Sequence, residues 1–97
     1  MTADNAIELS NNSSYDVYVA EDGYVWLKFY AYSGYTYSIS VDSNYTNTYI
    51  YDGNGYTESN NGGYNYSTSA YSSYGEYFYV RINATTGGNV SVSLSRS

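Results

Sequence analysis

The chain contains no cysteine, no histidine and no proline, and the first two absences each remove a class of explanation. Without cysteine there is no disulfide framework and no thiol nucleophile; without histidine the commonest general base and the usual zinc ligand go together. Redox compartment is left open, since cytosol and exterior both suit such a chain. Serine is abundant, yet with no histidine and no Ser-x-x-Lys arrangement it cannot be assembled into a nucleophilic triad or its lysine variant. Cations are equally scarce. Lys28, Arg81 and Arg96 face nine acids, a net charge of −6, so a phosphate backbone meets repulsion and no nucleic-acid partner is expected. No apolar run approaches the roughly 20 residues of a spanning helix, and the first ten residues lack the basic start and apolar run of a signal peptide. Export would therefore need a leader removed ahead of Met1, or a Met1 that is not native.

What the chain has is tyrosine. Seventeen of its 97 residues are Tyr, against two Phe and one Trp, in a sequence 42% hydrophobic and only 12% charged. That length holds one domain around one core, with residues 1–6 read as a tail and 7–95 as the domain. Apolar and polar residues alternate strictly, the signature of half-buried strands whose successive side chains point to opposite faces. From Tyr24 to Tyr32, Val25, Leu27, Phe29 and Ala31 share one face, while Trp26, Lys28, Tyr30 and Tyr32 share the other. Tyr35, Tyr37, Ile39 and Val41 alternate with Thr36, Ser38 and Ser40 after a turn at Ser33 and Gly34, and the two segments are expected to pair as an antiparallel hairpin. Further strands are expected at Ile7 with Leu9, Tyr15 with Val17 and Val19, Thr46–Tyr51, Tyr64–Tyr71, Tyr77–Asn83 and Asn89–Leu94, bounded by turn residues. Thr57–Gly63, rich in Asn, Ser and Gly, reads as a loop. The expected fold is a single all-β antiparallel sandwich of seven to eight strands.

Parity carries the functional signal. Trp26, Tyr30 and Tyr32 oppose the core face of their strand, Tyr49 and Tyr51 lie outside if Thr48 and Ile50 face in, and Tyr77, Tyr79 and Arg81 oppose Phe78, Val80 and Ile82. Gathered on one sheet, they would form an aromatic surface larger than a monomer usually leaves uncovered. Tyrosine suits a contact surface because it offers broad area at low side-chain entropy, with a hydroxyl that tolerates water. Three uses compete for it: packing against another copy or a matrix polymer, stacking on sugar rings with Trp26 foremost, and cross-strand pairing that only steadies the sheet.

Two acidic turns suit calcium by residue type, Asp52 with Asn54 and Glu21 with Asp22. The first lacks an acid at the distance a calcium loop requires, and turn chemistry explains both equally well. No cofactor is therefore expected. Adjacent carboxylates such as Glu21 and Asp22 would point to opposite faces of a strand, so no acid–base pair is formed and no catalysis is expected. Sequons at Asn11, Asn12, Asn44, Asn65, Asn83 and Asn89 are compatible with an extracellular surface.

The order Val25-Trp26-Leu27-Lys28-Phe29, Tyr35-Thr36-Tyr37-Ser38-Ile39, Tyr49-Ile50-Tyr51-Asp52-Gly53-Asn54-Gly55, Glu58-Ser59-Asn60-Asn61-Gly62-Gly63 and Gly75-Glu76-Tyr77-Phe78-Tyr79-Val80-Arg81-Ile82 resembles the bacterial pre-peptidase C-terminal domain from Ile7 to Leu94. The resemblance implies a jelly-roll-like sandwich, secretion, and a non-catalytic part in targeting, attachment or processing. Where the family often carries aspartates, Asn60 and Asn61 stand here, which takes charge from any calcium site in that loop. The expectation is thus an extracellular or cell-surface module that self-associates through tyrosine as a filament, surface layer or matrix attachment, with a carbohydrate-binding or cleavable targeting module of a secreted enzyme as the alternative.

Overall fold

The computed structural model describes residues 6–10, 12–42, 46–51, 57–61, 64–68 and 74–97. Among the described residues nine strands follow one another: β1 (Ile7–Glu8), β2 (Ser13–Val19), β3 (Tyr24–Tyr32), β4 (Tyr37–Asp42), β5 (Thr46–Tyr51), β6 (Thr57–Asn61), β7 (Tyr64–Thr68), β8 (Gly75–Ala84) and β9 (Gly88–Arg96). They form two sheets, β1-β3-β8-β5-β6 and β2-β9-β4-β7. Counted from β2, this is the strand order of a jelly roll, in which two four-stranded sheets enclose one core. Among the described residues no helix is long and apolar enough to cross a membrane.

Alternation builds the core as expected. Val25, Leu27, Phe29 and Ala31 on β3 and Phe78, Val80, Ile82 and Ala84 on β8 turn inward from the first sheet. Val17, Val19, Ile39, Val41, Val90, Val92 and Leu94 turn inward from the second. Phe29 stacks on Phe78, its register partner, with centroids 5.3 Å apart and planes within 7°. It also meets Tyr37 of the opposite sheet at 5.8 Å. Tyr37 is fully buried, and its hydroxyl accepts a hydrogen bond from the Tyr32 amide at 3.0 Å, which removes the cost of burying a lone phenol.

The expected hairpin does not form. β3 and β4 lie in opposite sheets, and Ser33–Thr36 is an arch over the end of the core, with Gly34 at φ +91°. A glycine turn between two alternating segments fits either arrangement; what decides is that β8 takes the place beside β3 and β9 the place beside β4, so that the odd residues of the two strands meet in the core from opposite sides. Tyr35 consequently sits outside the strand and is exposed, rather than sharing the inward face of Tyr37 and Ile39. Thr36 instead continues the ladder with Ser97 through bonds of 3.2 and 2.9 Å.

Thr57–Asn61 is a strand, not a loop, and pairs antiparallel with β5. It brings the strand count to nine. An edge strand needs only backbone bonds on one side, so it can form without the apolar period that marks the others. β7 ends at Thr68, and the expected continuation to Tyr71 lies outside the described residues, as do residues 1–5 of the expected tail. Two residues of β1 pair parallel with β3, placing Ile7 opposite Leu27 and Glu8 opposite Lys28. The following Leu9 is buried, and its amide donates to the Lys28 carbonyl at 2.8 Å.

The outer face of the second sheet is polar apart from Tyr18 on β2, which is 64% exposed. Ladder registers align Ser14, Ser93 and Ser40 in one row and Asp16, Ser91 and Asp42 in the next.

Candidate functional site

The outer face of the first sheet gathers every aromatic residue that strand parity assigned to a surface. With β8 between β3 and β5, the registers place Trp26, Arg81 and Tyr49 in one row, Lys28, Tyr79 and Tyr51 in the next, and Tyr30 beside Tyr77 in the third. Tyr32 follows at the end of β3. Thr48 and Ile50 are fully buried, which confirms that Tyr49 and Tyr51 face out. The same parity reaches Tyr24, which sequence reasoning left off the surface because it begins the strand; half of it is exposed.

The rings pack on one another. Tyr30 meets Tyr32 edge-on at 4.9 Å and Tyr77 at 5.0 Å, Tyr77 meets Tyr79 at 6.2 Å, and Trp26 meets Tyr51 at 5.4 Å. Such edge-to-face and tilted pairs are each worth about 0.5–1.5 kcal/mol beyond the area they bury. Tyr30 also leans over Gly75: a Cβ there would lie 2.7 Å from Tyr30 Cε2 and 2.7 Å from the Ala31 carbonyl oxygen. Gly75 has φ +138°, so the aromatic layer and the backbone both demand glycine. Tyr32 and Tyr77 keep 51% and 36% of their surface exposed, while Trp26, Tyr30, Tyr49, Tyr51 and Tyr79 are half-buried.

All three cations are held by aromatic rings. Lys28 Nζ lies 5.1 Å from the Tyr77 centroid. The Arg81 guanidinium lies 4.5 Å from Tyr49 and 5.7 Å from Trp26, and Arg96 lies 4.4 Å from Tyr35. Arg81 Nε is buried with no hydrogen-bond partner among the described residues, so the rings supply the compensation that a carboxylate would normally give. Arg81 is therefore a strut of the surface, and the more exposed rings are those of Tyr24, Tyr32 and Tyr77.

At the margin of this face stands Glu8, brought there by β1. Tyr77 donates to its carboxylate through a long bond of 3.4 Å. Beside it Glu8, Leu9, Ser10, Tyr30 and Tyr32 line a cleft of about 420 Å³. The sequence predicts a strand at Ile7 with Leu9 but does not single out Glu8, because only the parallel pairing with β3 brings it beside Tyr77. Below the cleft the Tyr15 hydroxyl accepts from the Ser10 amide at 3.1 Å, and hydrogen bonding from Ser10 holds the Tyr15 pKa below its ordinary value.

Glu21 and Asp22 occupy the β2–β3 turn, closed by a bond of 2.8 Å from the Gly23 amide to the Ala20 carbonyl. Asp22 has φ +55°, a position that Asp tolerates better than most residues. Both are turn residues rather than neighbours on a strand, and no cluster of three or more metal-ligating side chains occurs among the described residues. Asp52 and Asn54 lie outside the described residues. Of the sequons, Asn12 caps the Arg96 amide at 3.2 Å, Asn83 is half-buried on the aromatic face and Asn89 is exposed on β9. No family model matches the chain and no curated protein matches it, so only the geometry of the site speaks to what it does.

Proposed function

We propose that the chain is a non-catalytic structural module of the cell exterior or surface, whose tyrosine face binds a second copy and so builds a filament, a surface layer or a matrix contact. One observation carries the reading. Trp26, Tyr30, Tyr32, Tyr49, Tyr51, Tyr77, Tyr79 and Arg81 share a single three-stranded face, an expanse of ring surface that a monomer has no reason to keep. Charge favours another copy as the occupant. Lys28 and Arg81 lie on this face, whereas the exposed Asp16 lies opposite Ser91 on the outer face of the other sheet. Contact between the front of one copy and the back of the next joins unlike charges, and such a heterologous contact repeats, running on as a filament where the rotation does not close into a ring. The resemblance to the bacterial pre-peptidase C-terminal domain points in the same direction, toward a secreted module without an active site.

The test uses the most exposed rings of the face, of which Tyr32 and Tyr77 also pack on Tyr30. Sedimentation velocity over a concentration series, in about 0.15 M salt to screen the net charge, is expected to show association of the wild type. Changing Tyr24, Tyr32 and Tyr77 together to Ser should weaken that association by about tenfold or more while lowering folding stability by about 1–3 kcal/mol through the lost ring pairs. A wild type that stays monomeric at high concentration refutes the proposal. So does a triple variant that loses stability but associates unchanged per folded molecule, because the rings then serve the sheet alone.

A further inference from the structure

The cleft at the margin of the aromatic face carries an inference independent of self-association. It is lined by Tyr30 and Tyr32 of β3 and by Glu8, Leu9 and Ser10 of the segment that crosses beside them. The backbone of β3 adds to this set. Lys28 uses its carbonyl on the edge away from β8, accepting from Leu9, and Tyr32 uses its amide to donate to Tyr37. Backbone groups of a strand alternate in direction residue by residue, so Tyr30, midway between them, turns its N–H and C=O to that same edge. There the two-residue ladder with β1 has already ended. The cleft thus combines a fixed carboxylate, a backbone donor, a backbone acceptor, a serine and two rings.

We propose that this cleft binds a neutral pyranose unit of an oligo- or polysaccharide. A sugar ring has an apolar face that lies on a tyrosine and a rim of hydroxyls that both donate and accept. It therefore uses the carboxylate, the amide and the carbonyl together, which a simple ammonium group cannot, since it only donates. Uronic acids and sulfated sugars are repelled by Glu8 and by a net charge of −6. The volume of about 420 Å³ falls within the range of small-ligand sites. Trp26, the residue that sequence reasoning put foremost for sugar stacking, is packed against Tyr51 in the middle of the sheet, whereas Tyr32 keeps half its surface open beside the cleft.

The experiment is a titration of the isotopically labelled protein, followed by amide chemical shifts, with soluble hexasaccharides of glucose, mannose, xylose and N-acetylglucosamine at millimolar concentration, and with hexalysine as the cationic counter-probe. At least one sugar should move the amides of Glu8, Ser10, Tyr30 and Tyr32 saturably. Glu8→Gln and Tyr32→Ala should each weaken that binding by about tenfold, and Tyr32→Phe should keep it within about twofold. Thermal melts confirm that each variant is folded. Glu8 is not a contact of the proposed self-association, so its variant separates the two readings. Failure of every sugar to move these amides overturns the proposal, as does binding of hexalysine in their place or a response confined to Trp26 and Tyr49.

Discussion

The two outer faces of the sandwich obey the same alternation and differ almost completely in content. Behind each lies an equally apolar inner face, Phe and Ile from one sheet meeting Ile, Val and Leu from the other. Outside, β3, β8 and β5 present Trp, Tyr, Lys and Arg, while β2 and β9 present rows of Ser with Asp16, Asn89 and a single tyrosine, Tyr18. Folding constrains the inner faces, because a wrong residue there costs transfer and cavity energy. It leaves the outer faces nearly free, because a solvated side chain costs little whatever it is. Serine is what a sheet carries outside when folding asks nothing more of it. The tyrosine face is a departure from that default, and it is the departure on which the proposed contact rests.

The comparison can be broken most severely from below, where both faces share a core. Phe29→Ala removes the ring that touches Phe78 and Tyr37 and should cost about 3–5 kcal/mol in a denaturant titration; a loss under about 1 kcal/mol would mean that the inner layer is not the common support of the two faces. A change confined to the aromatic side comes next. Gly75→Ala drives a methyl group into Tyr30 and into the Ala31 carbonyl at an unfavourable φ, and should cost about 1–3 kcal/mol. Tyr30→Ala in the same chain should recover part of that cost, leaving the backbone share, and a double-mutant cycle measures the split.

A smaller effect should have the opposite sign. Thr48 faces inward from the aromatic sheet, fully buried, with a hydroxyl that finds no partner among the described residues. Thr48→Val replaces it with a methyl group of the same shape and should raise stability by up to about 1 kcal/mol, read as a higher denaturant midpoint. The smallest effect belongs to the polar face. Ser91→Ala with Ser93→Ala should change stability by about 0.5 kcal/mol or less, so that the serine rows act as the stability control for every tyrosine variant.

The two faces were not equally legible in the sequence, and neither were the elements. Strand parity assigned Trp26, Tyr30, Tyr77 and Arg81 correctly because side-chain direction follows directly from a period of two. It also fixed Leu27, Phe29, Ile39, Phe78, Val80 and Ile82 as core. Pairing was harder. Nothing in Ser33-Gly34 says whether the chain returns beside β3 or crosses over the core, since the choice depends on where β8 and β9 insert, some forty residues later in the sequence. β6 was hidden for a different reason: it is polar, and a strand held by backbone bonds at an edge needs no apolar pattern. The cleft could not be foreseen at all, because Glu8 reaches Tyr77 only through the short parallel pairing of β1 with β3.

The jelly-roll order has a kinetic consequence. β8 and β9 are central strands, one in each sheet, and they are the last two strands of the chain. A chain that has emerged only as far as residue 74 can join β5 with β6, β4 with β7 and β1 with β3, yet β2 and β3 lack the antiparallel partners that hold them. Both sheets then close at once, across separations of up to about eighty residues, and topologies dominated by such distant pairings fold on a scale of milliseconds to seconds. Until that moment the tyrosine strands are separate segments with their apolar faces uncovered. The surface on which a second copy would dock exists only after the final turn of the chain is in place.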